Sequence, residues 1–413
     1  MKKAIVTLSV FILFSFFGTA QNVHRCSTAE YTKALELSDP GYYQRRIESE
    51  SAIARWIASH SGESQRSIVT IPVVFHMLYH DTSQYLDDAV IQSQLDVINE
   101  DYRRTNPDSG QTPLAFRAIA ADCEIEFCLA KRTPAGLPTT GIIHKYTNDT
   151  AFSNYDETKL SSSGGDDAWD ATKYLNIWVA AFTNQNFLGL GTFPGGDPQY
   201  DGVVINYKAC GRIGSHLLPH YNKGRSLTHE IGHWLNLLHV WGDDGNTCNA
   251  DDNISDTPLQ SAENYGCPAY PKTDNCTSSF PGIMFMNYLD YTDDECMNAF
   301  TEGQKARMLA ALNIDRASIL SSNGCVPVGI EENDLRFLFT VYPNPAADKL
   351  FVNSIQGQNL KAEISITDML GETVLDVQTL TGDGADISML RSGVYFLELS
   401  TGKGKAVFKI IKQ

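Results

Sequence analysis

The sequence predicts two folded units, an α/β unit around a mixed sheet and then a small all-β sandwich. Three observations carry this. Apolar and alternating strand-like runs are mixed with long helical stretches up to Cys325, the pattern of a sheet packed by helices. All nine cysteines and all ten histidines lie in that part. Beyond it the chain alternates apolar and polar residues between turn signals, with almost no helical period.

The elements follow in order. Lys2 and Lys3 precede an apolar run, Ile5 to Phe17, and the small residues Gly18-Thr19-Ala20. This is a cleavable signal peptide over residues 1–20, since the run falls short of the roughly 20 residues that span a bilayer. No later segment is long and apolar enough to cross, so the protein is expected to be exported. Residues 21–66 are charged and helix-prone. They close on the polar run Ser59-His60-Ser61-Gly62-Glu63-Ser64-Gln65-Arg66, which reads as an exposed, cleavable linker and makes 21–66 a propeptide.

A main domain over 67–325 opens with Ser67 to His76 as a buried strand. Asp88 to Arg104 has helical spacing, with Val90, Ile91, Leu95 and Ile98 on one face. Strand-like runs follow at Cys123–Ala130, Leu175–Phe182 and Gly202–Tyr207, and a strong helix begins near Leu227. Asp243 to Cys296 is irregular, and Thr301 to Asn313 forms a closing helix. Residues 326–413 make the sandwich, of about seven strands by turn spacing.

The net charge of -17 argues against nucleic-acid or anionic-membrane binding. Outside the cytoplasm cysteines tend to pair, and an odd count leaves one over. Cys26 stands alone near the mature N-terminus. Cys248, Cys267, Cys276 and Cys296 crowd one stretch, and the pairing of Cys123, Cys128, Cys210 and Cys325 is left open.

The chemistry concentrates in His229-Glu230-Ile231-Gly232-His233-Trp234-Leu235-Asn236-Leu237-Leu238-His239. Helix positions four apart share a face, so His229 and His233 can present two imidazoles to one zinc ion. Glu230 can then act as general base toward a water at that ion. On an unbroken helix His239 would point about 240° away from His233. It becomes the third ligand only if the helix ends between them, and Asn236 is a residue that tolerates the left-handed turn required. His76 and His80 are four apart but sit in or beside a strand, and are expected in the core or at the surface.

These residues resemble the extended zinc motif of the metzincin clan, and more narrowly the pappalysin family, over roughly 67–320. The stretch Phe285 to Met297, with Phe300-Thr301-Glu302-Gly303-Gln304, is similar to that family's Met-turn segment. The resemblance implies a secreted zinc endopeptidase acting on proteins or peptides, with His229, His233 and His239 on the metal and Glu230 as base. Aligned without a gap, Leu289 stands where the family has Met and Tyr291 is the tyrosine that stabilises the oxyanion. An alignment with a three-residue insertion would make it Tyr288. The resemblance further implies disulfides Cys248–Cys276 and Cys267–Cys296, and a calcium loop using Asp252, Thr257 and the Ser255 carbonyl. It makes Cys26 a zymogen switch on the metal, beside the blander options of a lipid-attachment site or a free thiol. It also implies cleavage beside basic residues, with Arg after the scissile bond, and hence self-processing near Gln65-Arg66. The C-terminal segment, from Tyr342-Pro343-Asn344-Pro345 through Gly393-Val394-Tyr395-Phe396, resembles the sorting domain of type IX secretion, whose machinery becomes an expected partner. A carbohydrate-binding sandwich is the alternative there. For the whole chain the rivals are a surface-binding protein or adhesin with a vestigial zinc site, and a zinc amidase.

Overall fold

The computed structural model describes residues 25–60, 68–243, 247–328, 339–354, 362–379, 384–401 and 404–413. The signal peptide, and the end of the polar linker with Gln65-Arg66, lie outside the described residues. Two compact units divide between Pro327 and Val328.

In the first unit the N-terminal segment forms two helices, α1 (Thr28–Ser38) and α2 (Pro40–His60). The sheet begins with β1 (Val69–Tyr79), whose middle eight residues are buried on both faces, as a central parallel strand requires. Helix α3 (Asp88–Tyr102) starts where the Asp87 carboxylate accepts the Val90 amide, and it buries Val90, Ile91, Leu95 and Ile98. Strands β2 (Ile125–Leu129) and β3 (Ile142–Tyr146) both pair parallel with β1, along its first and second halves. On its other edge β1 pairs parallel with β4 (Leu175–Ala180). β5 (Gly189–Gly191) and β6 (Val203–Asn206) complete the sheet: β6 runs parallel to β4, and β5 closes the edge antiparallel to β6. Helix α4 (Arg225–Trp234) packs beside β5 and β6. Helix α5 (Glu302–Ile314) opens with a reciprocal cap between Thr301 and Gln304. The mixed sheet and the helices agree with the predicted α/β class.

Strands β3 and β5 carry no clear sequence signal and go beyond the predicted elements. Parity also misleads on the cysteines: Cys128 bonds Cys325, whereas Cys123 and Cys210 stay free beside Cys26, all three buried. An odd count therefore leaves three thiols, because Cys123 and Cys210 are packed as small apolar residues of the core.

The second unit holds seven strands among the described residues. β7 (Phe339–Tyr342), β8 (Lys349–Ser354) and β11 (Ala385–Asp386) form one antiparallel sheet. β9 (Ala362–Thr367), β10 (Thr373–Thr379), β12 (Gly393–Thr401) and β13 (Gly404–Lys412) form another. Leu350, Ile364, Ile366, Leu397, Leu399 and Ile410 are among the residues buried in its core. Among the described residues no helix is long and apolar enough to cross a membrane.

Candidate active site

Helix α4 brings His229 and His233 one turn apart, both wholly buried. It ends at Trp234, and two residues on Asn236 takes a left-handed backbone with φ +69°. The Leu237 amide then returns to the Gly232 carbonyl at 2.9 Å, and the chain swings His239 back over the helix. The three Nε2 atoms stand 3.1, 3.1 and 3.3 Å apart. Their Nδ1 atoms are each anchored. His229 donates to the Tyr288 carbonyl and His233 to the Leu237 carbonyl, both at 2.7 Å, and His239 faces the Asp243 carboxylate at 2.8 Å.

These anchors fix the tautomers. A carbonyl or a carboxylate only accepts, so each Nδ1 carries the proton and each Nε2 offers a lone pair. Burial pushes His229 well below the usual range and His233 to about 3, which holds these two imidazoles neutral. Three lone pairs aimed at one point repel each other unless a cation lies between them. Ligands 2.0–2.1 Å from a tetrahedral zinc sit about 3.3–3.4 Å apart, so the donor set and its spacing fit that ion.

Glu230 lies beside the cluster, against the sheet edge. A Cβ on Gly189 would fall 2.5 Å from its Cγ, and one on Gly191 would fall 2.1 Å from its backbone oxygen, so only glycine lets β5 come this close. Burial raises the Glu230 carboxyl to about 8. A divalent cation among the imidazoles would oppose that shift.

The N-terminal segment fills the site. Cys26 Sγ lies with the three Nε2 atoms in one group whose members are all within 4.8 Å of one another. It donates to Glu230 Oε2 at 3.3 Å and accepts the Thr28 amide at 3.3 Å. The Thr28 hydroxyl reaches Glu230 Oε2 at 3.2 Å and receives the Gly191 amide at 2.9 Å. The Ser27 amide donates to the Gly189 carbonyl and the Gly189 amide to the Arg25 carbonyl, each at 3.1 Å, so this stretch runs parallel to β5.

Of the two candidate tyrosines, only Tyr291 faces the cluster. Its ring centroid is 5.0 Å from that of His239, and its hydroxyl donates to the Cys26 carbonyl at 3.3 Å. The Tyr288 hydroxyl points away, to Asp101 Oδ1 at 2.7 Å. Leu289 packs beneath Gly232 of the metal helix, whereas Met286 sits in a separate cluster with Phe116 and Phe285.

Sequence reasoning missed a second pocket. Arg25 is wholly buried, its Nη2 3.2 Å from Asp294 Oδ1 and 3.1 Å from Met297 Sδ, while Nη1 donates to the Thr292 carbonyl. The guanidinium also lies 5.2 Å from the centroid of the Tyr221 ring. Asp294 is held in place because its Oδ2 accepts the amides of Lys223 and Arg225 at 2.9 and 3.2 Å. The only sequence signals were Arg25 directly before Cys26 and an acidic run after Tyr291.

A family model described as Pregnancy-associated plasma protein-A matches residues 159–313. Mature mirolysin of Tannerella forsythia, solved with a cleaved peptide, is 48% identical; the match covers 62% of this chain and 97% of that one, with a TM-score of 0.60. A Glu-to-Ala mutant of promirolysin from the same organism is 43% identical over 71% of this chain and 96% of its own, with a TM-score of 0.64. An extracellular metalloprotease of Colletotrichum graminicola is 33% identical over 60% of this chain and 79% of its own. The chain belongs to the pappalysin family of metallopeptidases. A second model, described as a secretion system C-terminal sorting domain, matches residues 340–413, and the protein is secreted.

Around this pappalysin centre, Cys248 is bonded to Cys276 and Cys267 to Cys296 across the irregular stretch. They staple a region with little core of its own. Nearby, Asp252 Oδ1 accepts the Ile254 amide at 3.1 Å and the Thr257 hydroxyl at 2.7 Å. Its Oδ2 is buried without a protein partner among the described residues, and burial raises the carboxyl to about 7. Ser255 is exposed on the same loop. His76 is a buried strand residue between Asp166 and Asn176, and His80 is partly buried against Tyr146, both outside the metal cluster.

Proposed function

We propose that this pappalysin is a zinc endopeptidase, made as a self-inhibited zymogen, that cleaves proteins before Arg. The single observation carrying this reading is the Arg25-Cys26 pair: a thiol at the three imidazoles beside an arginine seated on Asp294. A peptide lying antiparallel to β5 would place the residue after its scissile bond where Arg25 sits. Arg suits that pocket better than Lys, because its fork can meet Asp294 and the Thr292 carbonyl together.

His229, His233 and His239 would hold the zinc, which when bound supplies Lewis acidity and makes water acidic near neutral pH. Glu230 Oε2, released from Cys26 and Thr28 once the segment leaves, takes a proton from water and returns it to the leaving amine. The Tyr291 hydroxyl, which now donates to a peptide carbonyl, donates instead to the oxygen of the carbonyl under attack.

Residues 21–66 are the prosegment in this reading, with activation by a cut near Arg66. In this reading the sorting domain directs export through the type IX machinery and is then removed, with release or surface attachment as the two outcomes. The unpartnered Asp252 Oδ2, with Thr257 and the Ser255 carbonyl, supports a structural calcium ion. Calcium should then raise the melting temperature of the parent but not of Asp252→Asn, and equal shifts would reject it.

The test is peptide cleavage by the purified full chain and its Glu230→Ala variant, with products mapped by mass spectrometry. Chelator-sensitive cuts before Arg, absent from the variant, are expected. Equal activity in the variant would overturn the reading.

A further inference from the structure

Three carbonyls leave the C-terminal end of α4 and the turn after it with no helical donor, a common need of helix ends. Side chains supply them. The Leu237 carbonyl takes His233 Nδ1, the Trp234 carbonyl takes Arg316 Nε at 2.9 Å, and the Asn236 carbonyl takes Arg307 Nε at 2.6 Å. Cations at this end are also favoured by the helix dipole.

Arg307 is 3% exposed and comes from α5, behind the metal centre. Its Nη2 lies 3.4 Å from Asn236 Oδ1 and is paired with Glu50 Oε1 on helix α2. One guanidinium therefore joins the N-terminal segment to the left-handed residue that separates His233 from His239. Around that pair Ile53 of α2 is buried against Ala310 and Ala311 of α5, and Ser49 donates to Asp315 at 2.7 Å. The contact is part of a packed helix interface.

We infer that Arg307 is a positioning residue for the metal turn, and that Glu50 of the prosegment braces it. The inference rests on the zymogen reading above. The prosegment then acts on the metal centre from two sides, with Cys26 in front and Glu50 behind through Arg307. Its departure removes both, so the mature enzyme should hold zinc less tightly than the zymogen by more than the lost thiol accounts for.

The experiment measures zinc release to a chromophoric chelator at 25 °C, from the full chain and from the self-processed enzyme. Parent, Glu50→Gln, Arg307→Lys and Arg307→Gln are compared, with zinc content and melting temperature recorded for each. Loss of a partner that orients ligands commonly costs 10–100-fold in metal affinity. Arg307→Gln should release zinc about tenfold or more faster in both forms, with Arg307→Lys between it and the parent. Glu50→Gln should release zinc faster only in the full chain, and should add little on top of Arg307→Gln. Parental release from folded Arg307→Lys and Arg307→Gln, with melting lowered alone, would make the residue merely structural and overturn the inference. Parental release from full-length Glu50→Gln would overturn the brace. A parent that binds no zinc would instead bring down the protease reading itself.

Discussion

Asp294 turns one carboxylate oxygen to the amides of Lys223 and Arg225 and the other to Arg25. Replacing one member of a buried ion pair typically costs about 3–5 kcal/mol. Asp294→Asn keeps the shape and removes the charge, so kcat/KM on Arg-containing peptides should fall about 100- to 5000-fold. On the zymogen proposal, background activity of the full chain should rise as well, since Arg25 occupies that pocket. Paired peptides with Arg or Leu after the cut would check this, and equal losses on both would count against an arginine pocket. No spacing rule could have joined Arg25 to Asp294, which lie 269 residues apart. The three histidines were legible because two share a helix turn and the third needs only one break.

At the scale of elements, the metal helix is made useful by where it stops. Asn236 holds φ +69°, a conformation that costs an ordinary residue about 1–2 kcal/mol. Asn236→Ala should therefore lower zinc affinity, and Asn236→Gly should restore it, both measurable by chelator competition. Helix α4 is fixed at its other end by Arg225, whose fork meets Asp108 at 2.6 Å through both nitrogens. Burial pushes the Asp108 carboxyl up, but the Arg225 guanidinium outweighs it and holds the group below the usual range. A depressed carboxylate gives stability above its unfolded pKa near 4 and loses it as pH falls. Asp108→Asn should cost about 3 kcal/mol at pH 7, a gap that closes in unfolding curves below about pH 4. Helices α3, α4 and α5 could be read from their apolar periodicity. β5 could not, because Gly-Leu-Gly has no strand propensity and its glycines are there to admit Glu230.

Across the whole molecule, Cys128–Cys325 links positions 197 apart and ties the end of the first unit to its central sheet. In the chain-entropy model such a closure is worth about 5 kcal/mol. Cys325→Ser should therefore lower the melting temperature of the first unit, and mild reductant should lower it less in the variant than in the parent, since Cys248–Cys276 and Cys267–Cys296 remain in both. Unchanged melting would show that the ring adds nothing. The division into an α/β unit and a sandwich was legible because composition and periodicity both change after Cys325. The resemblance supplied Cys248–Cys276 and Cys267–Cys296, but the Cys128–Cys325 pair was not legible, since burial and not parity decides which thiols stay free.

The direction of the N-terminal stretch along β5 has a consequence for chemists. A peptide backbone laid parallel to that edge presents its amides in the reverse sense to one laid antiparallel, yet it still reaches both the Asp294 pocket and the three imidazoles. Short Arg-Cys sequences patterned on residues 25–28 are thus templates for inhibitors that the protease would hold without digesting.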